Sequence, residues 1–592
     1  MTPSETYTQC LSAREAQLSH LAKLHARIGS ARLLLGAAII IAAWLCFGRH
    51  AISAIWSIVL VIVFVGVVLY HQNVQRLRLR TQRAIVFYRR GLDRIEDRWM
   101  GHGQTGERFD VPHHIYAADL DLFGKGSLYE LLSIARTPMG ERTLAQWLMA
   151  PASIGEIRER HASIVDLRDR LDLREELVIL GEQARINPQS EALTTWAEAP
   201  NALNQQWLRW AAPLLAMLAV VTASFWVHWG VAIPFVVVLL MEGCLTYLLR
   251  KQIKTVIFGV EHAFEDLKFL SALLNRIERE RVDAPPLKAL IGKLSSHTVT
   301  ASRTFASLAT IVNMVESRRN IVVRPFILPL LYLLQVALAA ERWRSAHGEV
   351  VRSWLSVLGE IEALLSIAGY SYEHPADPFP EFLDGPATFQ ASELGHPLIC
   401  AATRVNNNVN ICGEIRVLLV SGSNMSGKST LLRTVGINTV LAMAGAPVRA
   451  KRVQLTPLQI GASIHINDSL YEGSSRFYAE IARLRQLFAL ENRTLALLFL
   501  LDELLQGTNS KDRRIGAAGI LRALVEQGAI GLISTHDLAL TDISALEEGV
   551  LKNVHFQDEL ENGTLRFDFK LRDGVVTKSN GIELMRSIGL KV

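Results

Sequence analysis

The run Gly422-Ser423-Asn424-Met425-Ser426-Gly427-Lys428-Ser429-Thr430 holds the residues with the clearest chemical potential in this chain. It follows the apolar segment 417–420 and precedes a helix-forming stretch, 431–443. Glycine tolerates backbone angles that let successive N–H groups turn toward one phosphate, and the following helix would add its positive N-terminal end. The pattern therefore predicts a loop that binds a nucleoside triphosphate, with Lys428 on the β- and γ-phosphates and Ser429 on Mg²⁺.

A second group of reactive side chains follows two further apolar, strand-like runs, which end in Asp502-Glu503 and in Thr535-His536-Asp537. An acidic pair at a strand end can hold Mg²⁺ through one carboxylate and polarise the attacking water through the other. A histidine at a neighbouring strand end can hydrogen-bond the γ-phosphate or that water. The order of the motifs predicts a metal-binding role for Asp502 and catalytic roles for Glu503 and His536.

The order of motifs across residues 390–592 resembles that of the MutS family. The segments that carry the resemblance are Gly395-His396-Pro397, the loop with Asn424 and Met425, Gly445 to Ala450, Gly473 to Glu480, Asp502-Glu503 with Gly507-Thr508, Ser534-Thr535-His536 and Lys578-Ser579-Asn580-Gly581-Ile582. Leu122 to Leu128, Thr137-Pro138-Met139-Gly140 and Trp147-Leu148 resemble the start of that family's helical core. The resemblance implies an α/β P-loop ATPase domain of the ABC and MutS type, preceded by an all-α core and lever domain.

The resemblance also implies ATP and Mg²⁺ as cofactors and a homodimer that completes each nucleotide site. Ser475 would contact the nucleotide of the opposite subunit, with Asn509 near the same joint. The predicted nucleotide-binding residues are thus Gly422, Asn424, Met425, Gly427, Lys428, Ser429, Thr430, Ser475 and Asn509. Family members commonly stack an aromatic ring on the adenine from the segment before the loop. Arg404 is the nearest match here, so stacking is either by a guanidinium plane or absent.

The elements before the ATPase domain include four apolar blocks, Ala31–Gly48, Ile52–Tyr70, Trp210–Trp226 and Gly230–Leu249. Each has about the ~18–20 residues with which a helix crosses a bilayer. Short links join them pairwise, and lysines and arginines flank both pairs, so the positive-inside bias predicts two transmembrane hairpins that start and end in the cytoplasm. Buried core helices are the alternative. A carboxyl in lipid is costly, so Glu242 inside the last block is expected to face a partner, mark a function, lie near the helix end or be partly shielded from lipid.

Two other segments have more than one interpretation. The arginines between Arg76 and Arg90 suit anionic lipid headgroups, nucleic-acid phosphates or a simple topological flank. The apolar stretch Phe326–Ala340 is too short to span a bilayer and is expected to be helical core. Amphipathic helices at 154–180 and 261–367 would supply the core and lever arms.

Composition adds few constraints. The chain has 592 residues, a formal net charge of +5 and 50% hydrophobic residues, with a mean hydropathy of +0.22. This charge alone does not require a nucleic-acid partner. The five cysteines form no close pair and no Cys/His cluster, which predicts reduced structural thiols with no zinc site and no disulfide framework.

Together these features predict a seven-part organisation. The parts are a cytoplasmic N-terminal helix (1–30), transmembrane hairpin 1 (31–70), a basic linker (71–110), the first part of the helical core (111–208), transmembrane hairpin 2 (209–250), the second core and lever part (251–375) and the ATPase domain (376–592). The expected location is the cell inner membrane, multi-pass, with the ATPase domain in the cytoplasm.

The predicted function is a membrane-anchored MutS-like ATPase that drives a dimeric clamp on DNA, in a mismatch-repair-like role or on branched DNA. Mismatch recognition itself does not follow, because no Phe-x-Glu wedge motif is found before the core, which begins near Val111, and a hairpin precedes that core. One alternative is an ATP-gated membrane scaffold without DNA binding. An ABC-type transporter is another, although the chain has no Leu-Ser-Gly-Gly-Gln signature and few spans.

Overall fold

The helical part of the chain extends to Glu373 and a mixed α/β part follows, in a computed structural model. The described residues are 1–49, 53–183, 190–203, 205–262, 267–295, 299–321, 324–423, 425–464, 476–490, 495–506, 508–536, 549–561 and 564–576. The helices of the first part are α1 (Pro3–Ala43), α2 (Ala54–Ile95), α3 (Leu128–Leu132), α4 (Pro138–Met149), α5 (Ile154–Arg168), α6 (Leu171–Gln183), α7 (Ser190–Glu198), α8 (Leu208–Trp229), α9 (Ile233–His262), α10 (Leu267–Glu278), α11 (Pro285–Gly292), α12 (Ala301–Ser317) and α13 (Tyr332–Glu373).

Helices α1 and α2 pack along each other. The first apolar block lies toward the C-terminus of α1 and the second toward the N-terminus of α2, so both blocks are at the end of the pair where the chain turns from one helix to the other. The opposite ends of the two helices are fixed to the end of α13. The Tyr7 hydroxyl donates to Glu373 Oε1 at 3.1 Å, and Arg94 donates to both oxygens of the same carboxylate at 2.7 and 2.6 Å. The predicted basic linker, 71–110, is therefore helical as far as Ile95, because arginine and leucine are good helix formers and the helix has a surface to pack against.

The arginines of this segment are partly engaged inside the chain. Arg80 pairs with Glu176 at 3.3 Å and Arg89 with Glu15 at 2.6 Å. Exposed pairs of this kind contribute on the order of 0–1 kcal/mol each. Ion pairs within the chain therefore engage part of this arginine cluster. The three interpretations from the sequence stay open for the cluster.

Four described helical segments are long and apolar enough to cross a membrane, judged by length and composition: Pro3–Gly48, Ala54–Ile95, Leu208–Trp229 and Ile233–Phe258. In the most apolar window of each, at most 17% of the residues are buried. Glu242 is an exception, because it is fully buried and neither of its carboxyl oxygens has a hydrogen-bond partner in the described part of the chain. Of the options left open for this residue, shielding by protein is the one that the structure shows.

Helix α13 is the central helix of the first part, and most of its residues beyond Trp354 are buried. Its Glu362 accepts hydrogen bonds from the backbone N–H groups of Arg136 and Thr137, each at 3.2 Å, and from the Thr137 hydroxyl. A Cβ on Gly140 would collide with this carboxylate. The motif Thr137-Pro138-Met139-Gly140 therefore joins the start of α4 to α13. Burial raises the pKa of Glu362 to about 7.

The apolar stretch predicted as helical core, Phe326–Ala340, is divided in the structure. Helix α13 begins at Tyr332, and the residues from there to Ala340 pack largely in the core. Phe326 is 55% exposed in the preceding loop. Pro325 and Pro329 lie in that loop, and the residue before a proline disfavours the helical conformation.

The described residues of the second part form two sheets and three helices. Its elements are β1 (Glu381–Phe382), β2 (Phe389–Leu394), β3 (Asn407–Ile411), β4 (Val417–Ser421), α14 (Lys428–Ala444), β5 (Arg452–Leu455), β6 (Leu458–Ser463), α15 (Arg476–Phe488), β7 (Ala496–Leu501), α16 (Ser510–Glu526), β8 (Ile530–Thr535), β9 (Leu551–Glu561) and β10 (Thr564–Asp573). A four-stranded sheet has the order β1-β5-β2-β3, and a six-stranded sheet has the order β10-β9-β4-β8-β7-β6. In the larger sheet every strand pair is parallel except β9–β10. The loops after β4, β8 and β7 consequently leave the same edge of the sheet, where parallel sheets bind ligands.

Candidate functional site

The loop between β4 and α14, which we call the glycine loop (residues 422–427), requires glycine at two positions. A Cβ on Gly422 would lie 2.7 Å from Ser426 Oγ and 3.2 Å from the Phe556 carbonyl oxygen. Gly427, with φ of 102°, precedes the first residue of α14 in a conformation that other residues rarely adopt. Met425 also has a positive φ, 68°, and its side chain is exposed. Asn424 lies outside the described residues.

Lys428 begins α14, and its side chain is buried over the glycine loop. The Nζ atom donates to the carbonyl oxygens of Gly422 at 2.9 Å and Ser423 at 2.7 Å. Burial lowers the pKa of Lys428, whereas the carboxylates of Glu503 and Asp502 act in the opposite direction. The cation is thus held at the loop in the field of both acidic residues.

The acidic pair follows β7 and is joined to the end of β8. The Ser534 hydroxyl donates to Asp502 Oδ1, and the backbone N–H of Glu503 donates to Ser534 at 3.2 Å (carbonyl) and 3.1 Å (Oγ). Glu503 has a positive φ of 50°, and the Gln506 side-chain amide donates to its carboxylate. His536 Nδ1 lies 3.5 Å from Glu503 Oε1. The structure therefore brings Asp502, Glu503 and His536 together beside the glycine loop.

The remaining predicted residues are placed less closely or not at all. Ser429 and Thr430 lie on the first turn of α14. Asn509 caps α16, because its Oδ1 accepts from the Asp512 N–H at 2.9 Å and its Nδ2 donates to the Asp512 carboxylate at 2.7 Å. Ser475, Gly507 and the closing segment 578–582 lie outside the described residues. The predicted contact of Ser475 across a dimer stays a prediction.

Glu480 is the described end of the segment that begins at Gly473. It is buried on α15 and accepts a hydrogen bond from the Leu505 backbone N–H at 2.5 Å. Arg513 on α16 donates to the carbonyl oxygens of Leu505 and Gln506 at 3.0 Å each. The loop after the acidic pair is therefore held from two helices, which fixes the direction in which Glu503 leaves the sheet.

Two segments that carried the family resemblance meet at Asn438 in the middle of α14. Its Nδ2 donates to the Gly395 carbonyl at 3.0 Å, and its Oδ1 accepts from the Arg449 N–H at 2.7 Å. The Gly395 N–H in turn donates to the Arg449 carbonyl at 2.8 Å. His396 is buried beside this junction, and burial, followed by the charges of Arg433 and Arg404, lowers its pKa to about 4. The imidazole is therefore neutral at neutral pH.

A cavity of about 200 Å³ adjoins the glycine loop, and its lining includes Gly427, Thr430, Arg404 and Phe569. Arg404 donates to the Ile399 carbonyl at 3.2 Å, so part of its guanidinium is engaged within the chain. A Cβ on Gly427 would lie 3.2 Å from the Phe569 ring. An aromatic residue at the cavity thus comes from β10, which lies after the glycine loop in the chain.

Sequence reasoning missed Phe569. The residue lies at an irregularity in the pairing of β9 and β10, between Phe567 and Leu571, and has a φ of 53°. The Asn407 side-chain amide donates to its carbonyl at 2.9 Å. An available signal was the pair of aromatic residues in the otherwise charged run Arg566-Phe567-Asp568-Phe569-Lys570.

The residues present fit a magnesium nucleotide. The buried hydroxyls of Ser423 and Ser426 have no hydrogen-bond partner in the described part of the chain, and a glycine loop with free donors suits phosphate. Within the described ranges no group of three or more His, Cys, Asp and Glu side chains could hold a metal ion. That agrees with Mg²⁺, which is usually held by one or two protein ligands together with substrate phosphates.

Comparison with known proteins extends the likeness beyond these motifs. Residues 418–591 match the family model for MutS domain V. "Endonuclease MutS2" of Thermus thermophilus is 34% identical over 203 residues, which are 33% of this chain and 25% of that protein. The match therefore spans about a quarter of the relative's length. The two findings support a MutS-family member through the mixed α/β part, and the resemblance of the helical part stays a prediction.

Proposed function

We propose that this chain is a membrane-anchored, Mg²⁺-dependent ATPase of the MutS type whose ATP cycle opens and closes a dimeric clamp on DNA. The observation that carries the proposal is the meeting of Lys428, Asp502, Glu503 and His536 at one edge of the sheet, after the neighbouring parallel strands β4, β7 and β8. The match to MutS domain V covers these strands. ATP and Mg²⁺ are the cofactors that these residues suit.

The hydrolytic roles follow from the positions of the side chains. Lys428 binds the β- and γ-phosphates after leaving the two loop carbonyls that its Nζ contacts here. Ser429 and Asp502 would hold Mg²⁺, which would supply positive charge to the phosphates. Glu503 accepts a proton from the water that attacks the γ-phosphorus, and the P–O bond to ADP breaks. His536 Nδ1, at 3.5 Å from Glu503 Oε1, stabilises the charge of that carboxylate or shares its proton.

Exposed tryptophans support the membrane anchor. Trp44 and Trp56 flank the turn of the first hairpin, and Trp226 and Trp229 lie at the turn of the second; all four are at least 46% exposed. Tryptophan is enriched at both membrane–water interfaces, where its amphipathic ring lies at the headgroups. With the basic flanks, this supports two hairpins in the cell inner membrane and a cytoplasmic ATPase domain.

The homodimer and the DNA substrate rest on the family likeness. ATP would favour the closed dimer through γ-phosphate contacts and hydrolysis would release it. The relative's name describes an endonuclease, but the match covers only 25% of that protein, so nuclease activity is not included in the proposal. Mismatch specificity is not included either.

The test is the ATPase rate of the detergent-purified protein with homoduplex, mismatched and branched DNA at two salt concentrations. Stimulation by one DNA structure that weakens with salt supports the clamp, because phosphate contacts are salt-dependent. A rate that no DNA changes overturns the DNA substrate and favours a membrane scaffold. A rate no higher than that of the Lys428→Ala variant overturns the catalytic assignment.

A further inference from the structure

The loop between α12 and α13 combines exposed apolar and basic side chains. Its described residues, 318–321 and 324–331, are here called the basic–apolar loop. Ile321 is 83% exposed, Phe326 55% and Leu328 41%. The same loop contains Arg318, Arg319 and Arg324. A single exposed apolar side chain is ordinary on a protein surface, but three within one loop that also contains three cations suit a partner with apolar and anionic groups.

The loop is closed at its base, so its exposed residues project from a fixed point. The Tyr332 hydroxyl at the start of α13 donates to the Met314 carbonyl near the end of α12 at 2.8 Å. The Gln335 side-chain amide donates to the Leu330 carbonyl at 2.8 Å. Leu331 is buried, with a positive φ of 45° at the N-terminus of α13. The two helix ends therefore hold the loop while leaving Phe326 and Leu328 outside the core.

This point lies where the second hairpin leaves the helical core. The Ala202 N–H donates to Glu341 Oε1 at 3.1 Å, and Arg344 donates to the Pro200 carbonyl at 3.0 Å. From there the chain enters α8, which packs on α13, and the returning α9 packs on both α12 and α13. From Glu341 back to Tyr332, α13 extends roughly 13 Å at about 1.5 Å per residue. The basic–apolar loop is thus at the same end of α13 as the base of the hairpin.

We propose that the basic–apolar loop docks on the anionic leaflet of the membrane beside the second hairpin. This inference rests on the proposed membrane anchoring. Ile321, Phe326 and Leu328 enter the headgroup boundary, and the arginines bind the phosphates of acidic phospholipids. Each basic residue near an anionic surface adds to the attraction, and each buried apolar side chain adds its own hydrophobic contribution.

The bilayer fits better than a nucleic acid for two reasons. Its partner must receive three aliphatic or aromatic side chains in addition to phosphate contacts, and the interface of a bilayer offers both environments. The loop is also continuous with a hairpin that is itself long and apolar enough to span the membrane. A phosphodiester backbone would satisfy the arginines and leave the apolar side chains in water.

The test places a polarity-sensitive fluorophore on Phe326→Cys in a full-length variant without its five natural cysteines, in vesicles of phosphatidylcholine with or without phosphatidylglycerol. Lipids carrying a quencher report contact with the bilayer. Leu240→Cys in α9 is the membrane control, and Ile515→Cys on α16 is the aqueous control, since their side chains are similarly exposed at 69% and 64%. Nucleotide binding by each variant verifies that it is folded.

The expected result is strong quenching at position 326 in anionic vesicles, little quenching in pure phosphatidylcholine, and loss of most quenching when Arg319→Glu and Arg324→Glu are added. Quenching at 240 with none at 326 overturns the loop proposal and leaves the anchor intact. No quenching at either position overturns the membrane anchoring and the loop proposal together. A response at 326 to added DNA but not to lipid overturns it in favour of a nucleic-acid contact.

Discussion

Apolar residues are buried in the part of the chain that holds the proposed ATP site (residues 417–573, the ATP-site region) and exposed in the two proposed hairpins. All residues of β4 and of the neighbouring β8 are buried, and β7 is almost as enclosed. In the second hairpin Val227 and Leu240 have 79% and 69% of their surface exposed. Other protein segments cover the apolar residues of the sheet. In our proposal, lipid covers those of the hairpins.

This difference has a chemical consequence. Enclosure by protein fixes polar groups at the sheet edge, where Lys428 is partly stripped of water and faces two carboxylates. The hairpins hold one comparable group among their described residues, the buried Glu242. In our proposal the chemistry therefore takes place at the sheet edge, and the hairpins place that edge at the membrane.

Loss of the Lys428 side chain should have the largest effect on the ATP-site region. Lys428→Ala should lower ATP binding and hydrolysis by about 10²-fold or more, because preorganised charge in a partly dehydrated site is worth several kcal/mol. Equilibrium binding of a fluorescent ATP analogue and phosphate release measure it. Lys451→Ala, at a lysine that is 72% exposed, is the control and should keep both activities. If Lys428→Ala binds ATP as tightly as the wild type does, the assignment of Lys428 to the phosphates is wrong.

Removing the proposed base should separate binding from hydrolysis. Glu503→Gln should lower turnover by about 10²- to 10⁴-fold, the usual contribution of a general base, while ATP binding persists and the dimer stays closed. Single-turnover kinetics and size-exclusion chromatography with ATP report the two parts. Glu526→Gln, at an exposed position at the end of α16, should turn over normally. Wild-type hydrolysis by Glu503→Gln would show that another group activates the water.

A charge placed in the second hairpin tests directly whether lipid covers its apolar residues. Leu240→Arg should reduce the carbonate-resistant membrane fraction, since an arginine in a spanning helix costs about 2.5–3.5 kcal/mol on insertion scales. ATP hydrolysis per folded molecule should persist. Ile515→Arg places the same charge at a similarly exposed apolar position of the ATP-site region and should leave the membrane fraction unchanged. Equal behaviour of the two variants would argue against a spanning α9.

Phe569 allows a finer test at the ATP site. Phe569→Ala should weaken ATP binding by about 3- to 10-fold. The reason is that stacking of its ring on the adenine base would contribute about 0.5–1.5 kcal/mol beyond area burial. Turnover at saturating ATP should change little. Arg404→Ala tests the competing expectation that a guanidinium stacks on the base. A larger loss of affinity in Arg404→Ala than in Phe569→Ala would favour the arginine.

The stability of the helical core should depend on pH. Because the pKa of folded Glu362 is about 7 and that of an unfolded Glu is about 4.3, the folded state binds the proton more tightly. This contribution to stability is complete below about pH 4.3 and is lost as pH rises to about 7. Glu362→Gln should flatten the change of apparent melting temperature over that range. An unchanged pH profile would show that Glu362 is ionised when folded.

Much of the site could be predicted because its motifs follow strands of one parallel sheet. The carboxyl ends of such strands meet at one edge, so the short segments at 422–430, 502–503 and 535–536 had to converge. Phe569 could not be found in the same way. Its position depends on an irregular pairing of β10 and a positive φ, which are decided by tertiary packing.

The helical part shows the same limit. Length and apolarity alone identified the four long helices, but the sequence did not show that α2 would continue as helix to Ile95. That extension depends on contacts with α1, α6 and the carboxylate of Glu373. Pairing over such a distance in the chain leaves no local signal.

The unbroken course of α2 has a mechanical consequence. Between His71, just past the apolar block, and Ile95, at the body of the protein, the helix extends roughly 37 Å at about 1.5 Å per residue. In the membrane-anchored ATPase that we propose, this segment and the adjacent α1 would act as a stiff spacer between the bilayer and the nucleotide site. The length of α2 would then set the height of that site above the lipid, and adding or removing whole helical turns would raise or lower the site without altering its chemistry.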